Sequence, residues 1–326
     1  MNTISCRPLP DGVFPVALTP FKSDGSIDFA AYEKLINWYI DQGSAGIFAV
    51  CMSSELFELS APEKLDLVRH AVDAAAGRVP VVAGAGFGDT LAAKRTSVRT
   101  VAAAGVDAVV IPASLLGRSE DDESVIIDNF MRLVEAEPEI RYGLYECPAP
   151  YHRLISPDGI AVLAARAGSR LAFIKDTCCN FTLIRNKLAA LSGSGVKLYN
   201  ANTATLLASL EAGAAGYCGT SANYFPALLV ELVACFRSDP LRARKLQAVC
   251  DLLQHHVDYK YPAAAKRFLS FEGVAMTDFC RVAMTAKLLP EDTAELLNLR
   301  NFITDWKRQL IRDKTDSFVT TELKEA

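Results

Sequence analysis

Short apolar runs alternate with amphipathic, helix-length segments through the first two-thirds of this chain, and no other feature constrains its fold as tightly. Eight runs fall at residues 13–18, 45–50, 79–84, 108–111, 141–146, 171–175, 196–199 and 215–218. Segments with helical periodicity lie between them, at 29–42, 90–104, 120–136, 181–191 and 203–212 and after Ser60 and Ser156. Ser60-Ala61-Pro62-Glu63 has the Ser, early Pro and third-position Glu of a capping box. Strict alternation of strand and helix demands parallel strands with right-handed crossovers. Eight such units favour a closed (β/α)8 TIM barrel over an open sheet.

From residue 226 the pattern is helical only, with helices expected at 226–236, 241–256, 262–271, 278–288 and 291–311. The first can complete the barrel. The reading divides the chain into a catalytic barrel, residues 1–236, and a C-terminal helical extension packed on it, residues 237–326. The polar tail from 312 is expected to be mobile or to add a helix against a partner.

Composition excludes several classes of function. The 326 residues carry a net charge of −4, and no Lys/Arg cluster marks a nucleic-acid footprint. No apolar run reaches the roughly 18 residues of a membrane span, and residues 1–10 lack the basic and apolar regions of a secretory signal. Nine irregularly spaced cysteines then read as reduced thiols of a cytoplasmic protein. No Cys-x-x-Cys or His-Glu-x-x-His is present, and His255 and His256 are adjacent and diverge on a helix, so no metal site is expected. No Gly-x-Gly-x-x-Gly follows the first strand. Gly84-Ala85-Gly86-Phe87-Gly88 lacks the lysine of a phosphate loop and suits a tight strand-to-helix turn.

A barrel of this kind displays its chemistry at the C-terminal ends of its strands. Lys175 ends the sixth run, Leu171-Ala172-Phe173-Ile174-Lys175. Desolvation there disfavours an ammonium and supplies a nucleophilic amine, the usual route to a Schiff base. The competing structural reading is a lysine that snorkels outward and pairs with Asp176. Tyr145 ends the neighbouring fifth run, and a phenol beside the amine can pass a proton as a carbinolamine forms and collapses. Cys51, Cys147, Cys178, Cys179 and Cys218 also fall at strand ends. They read as small thiols lining a pocket, with a soft-metal or redox site as the alternative.

The residues from Gly12 to about Asn223 resemble the dihydrodipicolinate synthase/N-acetylneuraminate lyase family of pyruvate-handling class I aldolases. The resemblance is carried by Leu18-Thr19-Pro20-Phe21 with Asp24-Gly25 and Asp28; by Ser53-Ser54-Glu55 with Leu59-Ser60; and by Gly77-Arg78-Val79-Pro80-Val81-Val82-Ala83-Gly84. Further on it rests on Ala104-Gly105-Val106-Asp107-Ala108, Leu144-Tyr145 with Pro148, Ile174-Lys175-Asp176, and Gly216 through Ala222-Asn223. It implies an imine between Lys175 and the C2 carbonyl of a 2-oxo acid, with no added cofactor. Tyr145 would shuttle protons and Ser53 would bond the tyrosine. Backbone N–H groups near Met52, Ser53 and Ser54 would hold the carboxylate, and Cys218 would touch the oxo acid. The family also implies a homo-oligomer, dimer or tetramer.

Departures from the family pattern bear on the second substrate. Met52 stands where one of two hydroxyl residues is usual, Ala113-Ser114 replaces an aromatic pair, and Pro150 lies near the place of an arginine that the synthase branch uses for a dicarboxylic substrate. Glu146, His152, Arg153, Asn180, Asn202 and Asn223 are then the candidate specificity residues. Each has a plainer reading as an ion-pair, loop or turn residue. The expected function is a Schiff-base lyase, aldolase or dehydratase, acting on pyruvate or a 2-keto-3-deoxy sugar-acid-like 2-oxo acid. The alternatives are 4-hydroxy-tetrahydrodipicolinate synthase and a non-catalytic 2-oxo-acid-binding paralogue.

Overall fold

The computed structural model describes residues 8–282 and 287–325, with side chains described as far as residue 309. Its eight strands are β1 (Gly12–Val13), β2 (Ile47–Ala49), β3 (Val81–Gly84), β4 (Ala108–Pro112), β5 (Tyr142–Tyr145), β6 (Leu171–Asp176), β7 (Lys197–Asn200) and β8 (Gly216–Tyr217). The helices between and after them are α1 (Phe29–Asp41), α2 (Ala61–Ala75), α3 (Leu91–Ala103), α4 (Glu123–Ala136), α5 (Pro157–Ala167), α6 (Phe181–Ala190), α7 (Leu206–Glu211) and α8 (Pro226–Cys235). Then follow α9 (Pro240–Val257), α10 (Ala263–Phe271) and α11 (Pro290–Glu325). All strand pairs are parallel, in the order β1-β8-β7-β6-β5-β4-β3-β2. The circle closes beyond β1, where Ala45 N donates to Val13 O, Phe48 N to Pro15 O and Ala17 N to Phe48 O, each at 2.9 Å. The first strand is therefore shorter than the apolar run at 13–18, because past Val13 only Val16 bridges to Phe48.

Two apolar layers follow from the alternation of side chains along each strand. Phe14, Phe48, Val82, Val110, Tyr145, Phe173 and Tyr199 point into the barrel and fill it. Ile47, Leu144, Ile174 and Leu198 point outward, against helix faces such as Leu35, Ile36, Leu163 and Ile184. Rings pack through the interior, with Phe14 tilted 4.8 Å from Tyr199, Phe173 edge-on to Tyr199 at 5.6 Å and Phe48 edge-on to Tyr145 at 5.7 Å. Glycine permits the seam. A Cβ at Gly216 would lie 1.8 Å from the carbonyl oxygen of Gly12.

Helix starts follow their capping residues. Ser60 and Glu63 form both bonds of the expected capping box, and Asp28 and Ser156 cap α1 and α5. One expected helix is corrected. Residues 278–282 and 287–288 are irregular, and 283–286 lie outside the described residues. The N–H groups of Arg281 and Val282 donate instead to Glu55 Oε2 at 2.6 and 3.0 Å, and Lys266 takes the carbonyl of Phe279 at 2.8 Å. Tertiary polar partners have taken the backbone groups a helix would use.

Candidate active site

Register decides which strand-end residues meet. Tyr145 pairs with Lys175 across β5 and β6, and Lys175 pairs with Tyr199 across β6 and β7. Both members of the first pair point inward. Lys175 Nζ lies 4.2 Å from the centroid of the Tyr145 ring and 5.1 Å from that of Phe48, with 4% of the lysine exposed. The pairing of Lys175 with Asp176 that the sequence left open does not form. Asp176 points the opposite way and binds Lys187 Nζ at 2.6 Å. Among the described residues no carboxylate ion-pairs with Lys175.

Burial pushes the Tyr145 phenol well above its ordinary pKa, and the nearby Cys147 thiol pushes it further. The phenol is therefore a neutral proton donor across the working range of an enzyme, and its conjugate base is a strong acceptor. Cys51, Cys147 and Cys218 are buried around the same interior. Burial raises Cys147, and raises Cys218 to about 11, although Lys175 opposes both. Cys147 and Cys218 are protonated, packed thiols rather than thiolates. Among the described residues no three His, Cys, Asp or Glu side chains form a metal-sized cluster.

The turn after β2 carries Met52, Ser53 and Ser54 in a single 3-10 turn, Met52–Ser54. The first N–H groups of such a turn have no partner within it. That of Ser54 is spent on Cys51 O at 3.0 Å, so the expected carboxylate cradle narrows to Met52 and Ser53. The Ser54 hydroxyl is also committed, donating to Ala17 O at 2.6 Å and accepting from Cys51 N at 3.0 Å. Ser53 is buried in this turn, where its hydroxyl tempers the upward shift that burial gives the Tyr261 phenol. Met52 is open to solvent.

Several expected rim residues are placed elsewhere. Glu146 is wholly buried, its Oε1 accepting from Lys187 Nζ at 2.6 Å and from Ile155 N at 2.8 Å. It follows the inward-facing Tyr145, so strand alternation turns it outward against α6. Asn223 is also buried, holding Tyr39, Val16 O at 3.2 Å and the Tyr261 hydroxyl at 2.9 Å. Arg153 donates to the carbonyls of Arg118, Ser119 and Asp121 at 2.7 to 3.2 Å, which makes it a staple between two loops. Asn180 caps α6 through Leu183 N at 3.1 Å, and Asn202 binds Thr205 N at 3.0 Å. His152 and Asn180 are the exposed members of this set, and His152 Nε2 lies 2.8 Å from Thr177 Oγ1.

Lys187, Tyr261 and Lys266 were missed. Lys187 left a signal: with Ile184 and Leu191 it lies on the helical stripe that faces the barrel. Lys266 and Tyr261 left none, because their partners Glu55 and Ser53 are over two hundred residues distant.

A parallel eight-stranded barrel with an inward lysine and phenol at its C-terminal rim defines a class I aldolase type of architecture. The dihydrodipicolinate synthetase family model matches residues 9–299, and the chain belongs to that family. Two relatives named 4-hydroxy-tetrahydrodipicolinate synthase illustrate the distance. That of Roseobacter denitrificans is 30% identical over 237 residues, 72% of this chain and 79% of its own. That of Gluconacetobacter diazotrophicus is 26% identical over 286 residues, 86% and 93% of the two chains. Among solved structures, YagE of Escherichia coli K12, a family member crystallised with pyruvate, superposes with a TM-score of 0.81 at 22% identity, covering 90% of this chain and 98% of its own. CdNal of Clostridium difficile, in complex with mannosamine, gives 0.81 at 17% identity, covering 90% and 99%. The chain is a lyase of aldolase type, and the chemistry of its family uses a lysine Schiff base with pyruvate and no external cofactor. No helix among the described residues is long and apolar enough to cross a membrane.

Proposed function

We propose that Lys175 forms the imine, and that the substrate is pyruvate or a 2-keto-3-deoxy sugar-acid-like 2-oxo acid cleaved by aldol chemistry or dehydrated. The observation that carries this is the approach of Lys175 Nζ to the Tyr145 ring, 4.2 Å from its centroid, inside the barrel mouth. The amine attacks the C2 carbonyl. Tyr145 donates its proton to the carbinolamine hydroxyl, water leaves, and an iminium remains. The resulting phenolate takes the C4 hydroxyl proton of a 2-keto-3-deoxy acid. The C3–C4 bond breaks, the aldehyde departs, and its electron pair rests on the enamine. Protonation at C3 and hydrolysis release pyruvate and free Lys175. In this reading the Met52 and Ser53 N–H groups take the substrate carboxylate, Cys218 lines its methyl side and His152 meets its distal hydroxyls.

Borohydride with pyruvate, followed by intact mass, tests the assignment. An adduct on the parent chain and none on Lys175→Ala is expected; equal adducts on both would overturn it. The second reading, 4-hydroxy-tetrahydrodipicolinate synthase, is favoured by the names of the relatives. Turnover of pyruvate with aspartate semialdehyde in a coupled assay decides for it. Release of pyruvate from 2-keto-3-deoxy acids decides for the first.

The proposal extends to a cytoplasmic homo-oligomer, dimer or tetramer. The eight described cysteines are all free, which suits a reducing compartment. Light scattering on the purified chain measures its assembly.

A further inference from the structure

Lys187 takes no part in the reaction proposed above, yet it is fully buried beside the reacting pair. It reaches in from α6 and places Nζ 2.6 Å from Glu146 Oε1 and 2.6 Å from Asp176 Oδ2. Both carboxylates are fully buried as well. They are the residues that directly follow Tyr145 and Lys175. Because side chains alternate along a strand, the reacting pair points into the barrel while the two carboxylates point out of it, toward α6.

Lys187 thus bridges β5 and β6 one residue beyond the phenol and the amine. The backbone ladder is thin there. Beyond the paired Tyr145 and Lys175, Glu146 N donates to Lys175 O at a long 3.2 Å. The remaining bonds at this point involve side chains, Thr177 Oγ1 to Glu146 O at 2.5 Å and Thr177 N to Glu146 Oε2 at 3.4 Å. A buried triad of charges is a poor device for stability, since apolar side chains of similar volume do as well or better. It is a good device for geometry, because two short directional bonds to one ammonium hold the two carboxylates in a single arrangement.

We propose that Lys187 is a positioning residue that, by bridging the carboxylates after Tyr145 and Lys175, fixes the phenol against the amine during imine formation. The inference rests on the reading of Lys175 as the imine-forming lysine.

The test uses the full chain and the rate of pyruvate adduct formation by borohydride trapping. Lys187→Met should slow trapping at saturating pyruvate by 10-fold or more, with the half-saturating pyruvate concentration changed less than 3-fold. Glu146→Gln keeps an oxygen for Lys187 and should trap within 3-fold of the parent. Should Lys187→Met fail to fold, the variant K187M/E146Q/D176N removes all three charges together and should show the same slowing. A folded variant lacking Lys187 that traps within 2-fold of the parent overturns the proposal, as does a loss confined to half-saturation. Absence of any adduct on the parent would instead sink the reading of Lys175. The bridge is then judged by acetic anhydride labelling of Lys175, read by peptide mass. A 5-fold change in the triple variant supports it, and an unchanged rate overturns it.

Discussion

Tyr145 and Lys175 are paired residues of adjacent parallel strands, and the lysine Nζ stands 4.2 Å from the centroid of the tyrosine ring. Their separation in sequence is incidental to this contact. Register between β5 and β6 creates it, and the shared inward orientation directs both groups at one space.

Tyr145→Phe isolates the hydroxyl from the ring. The ring contacts with Lys175 and Phe48 are kept, so the melting temperature should change little. Loss of a general acid–base group should lower kcat by about 10²- to 10⁴-fold. Steady-state pyruvate release measures it. A kcat within tenfold of the parent would remove Tyr145 from the proton relay.

Glu146 makes stability depend on pH. Burial, joined by the like charge of Asp176, outweighs Lys187 and lifts its carboxyl from 4.5 to about 7. Between those values the native chain holds a proton that the unfolded chain has released. The contribution of this group is therefore fully present below about 4.5 and is lost as pH rises toward 7. Urea unfolding between those limits should give a flatter stability curve for Glu146→Gln than for the parent. Parallel curves would contradict the shift.

The Glu63–Arg281 pair acts at the acid end. The Arg281 guanidinium donates to Glu63 Oε1 at 2.6 Å and holds its carboxyl down at about 2. The native chain therefore binds this proton less readily than the unfolded chain. Its contribution is present above about 4.5 and is lost as pH falls toward 2. Arg281→Ala should destabilise the chain by about 1.5–3 kcal/mol at neutral pH, the scale of a hydrogen bond to a charged group. The gap between parent and variant should narrow on acidification, which denaturant midpoints at several pH values will show.

Lys266 and Glu55 join the C-terminal helices to the turn after β2. Their contact is 2.6 Å and both are fully or almost fully buried. Lys266→Met strands the Glu55 carboxylate and should cost about 3–5 kcal/mol. Lys266→Met with Glu55→Gln should recover a large part of that loss in denaturant unfolding. A double variant no more stable than the single would show that Lys266 acts through Phe279 O, its other partner, rather than through Glu55.

Local patterning was sufficient for the framework. Periods of two and of three to four residues follow from the backbone itself, so the eight strands, the seven helices between them and the Ser60 capping box could be located from adjacent residues. The same reading placed Lys175 and Tyr145 at neighbouring strand ends. It failed for residues 278–282, whose helical pattern yields to the carboxylate of Glu55.

The sequence by itself determined the barrel, because the alternation of strands and helices permits few other parallel closures. It also determined that a lysine and a phenol stand at one mouth. Only the tertiary structure decided what surrounds them. Glu146, Asn223 and Arg153 are polar residues in loops or at strand ends, and a linear reading sets them on a substrate rim. Strand alternation turns Glu146 outward to a lysine of α6, while folding brings Asn223 to Tyr39 and Tyr261 and Arg153 to the loop before α4. The physical reason is that a polar group out of water must find a partner, and its partner is chosen by position in space rather than along the chain.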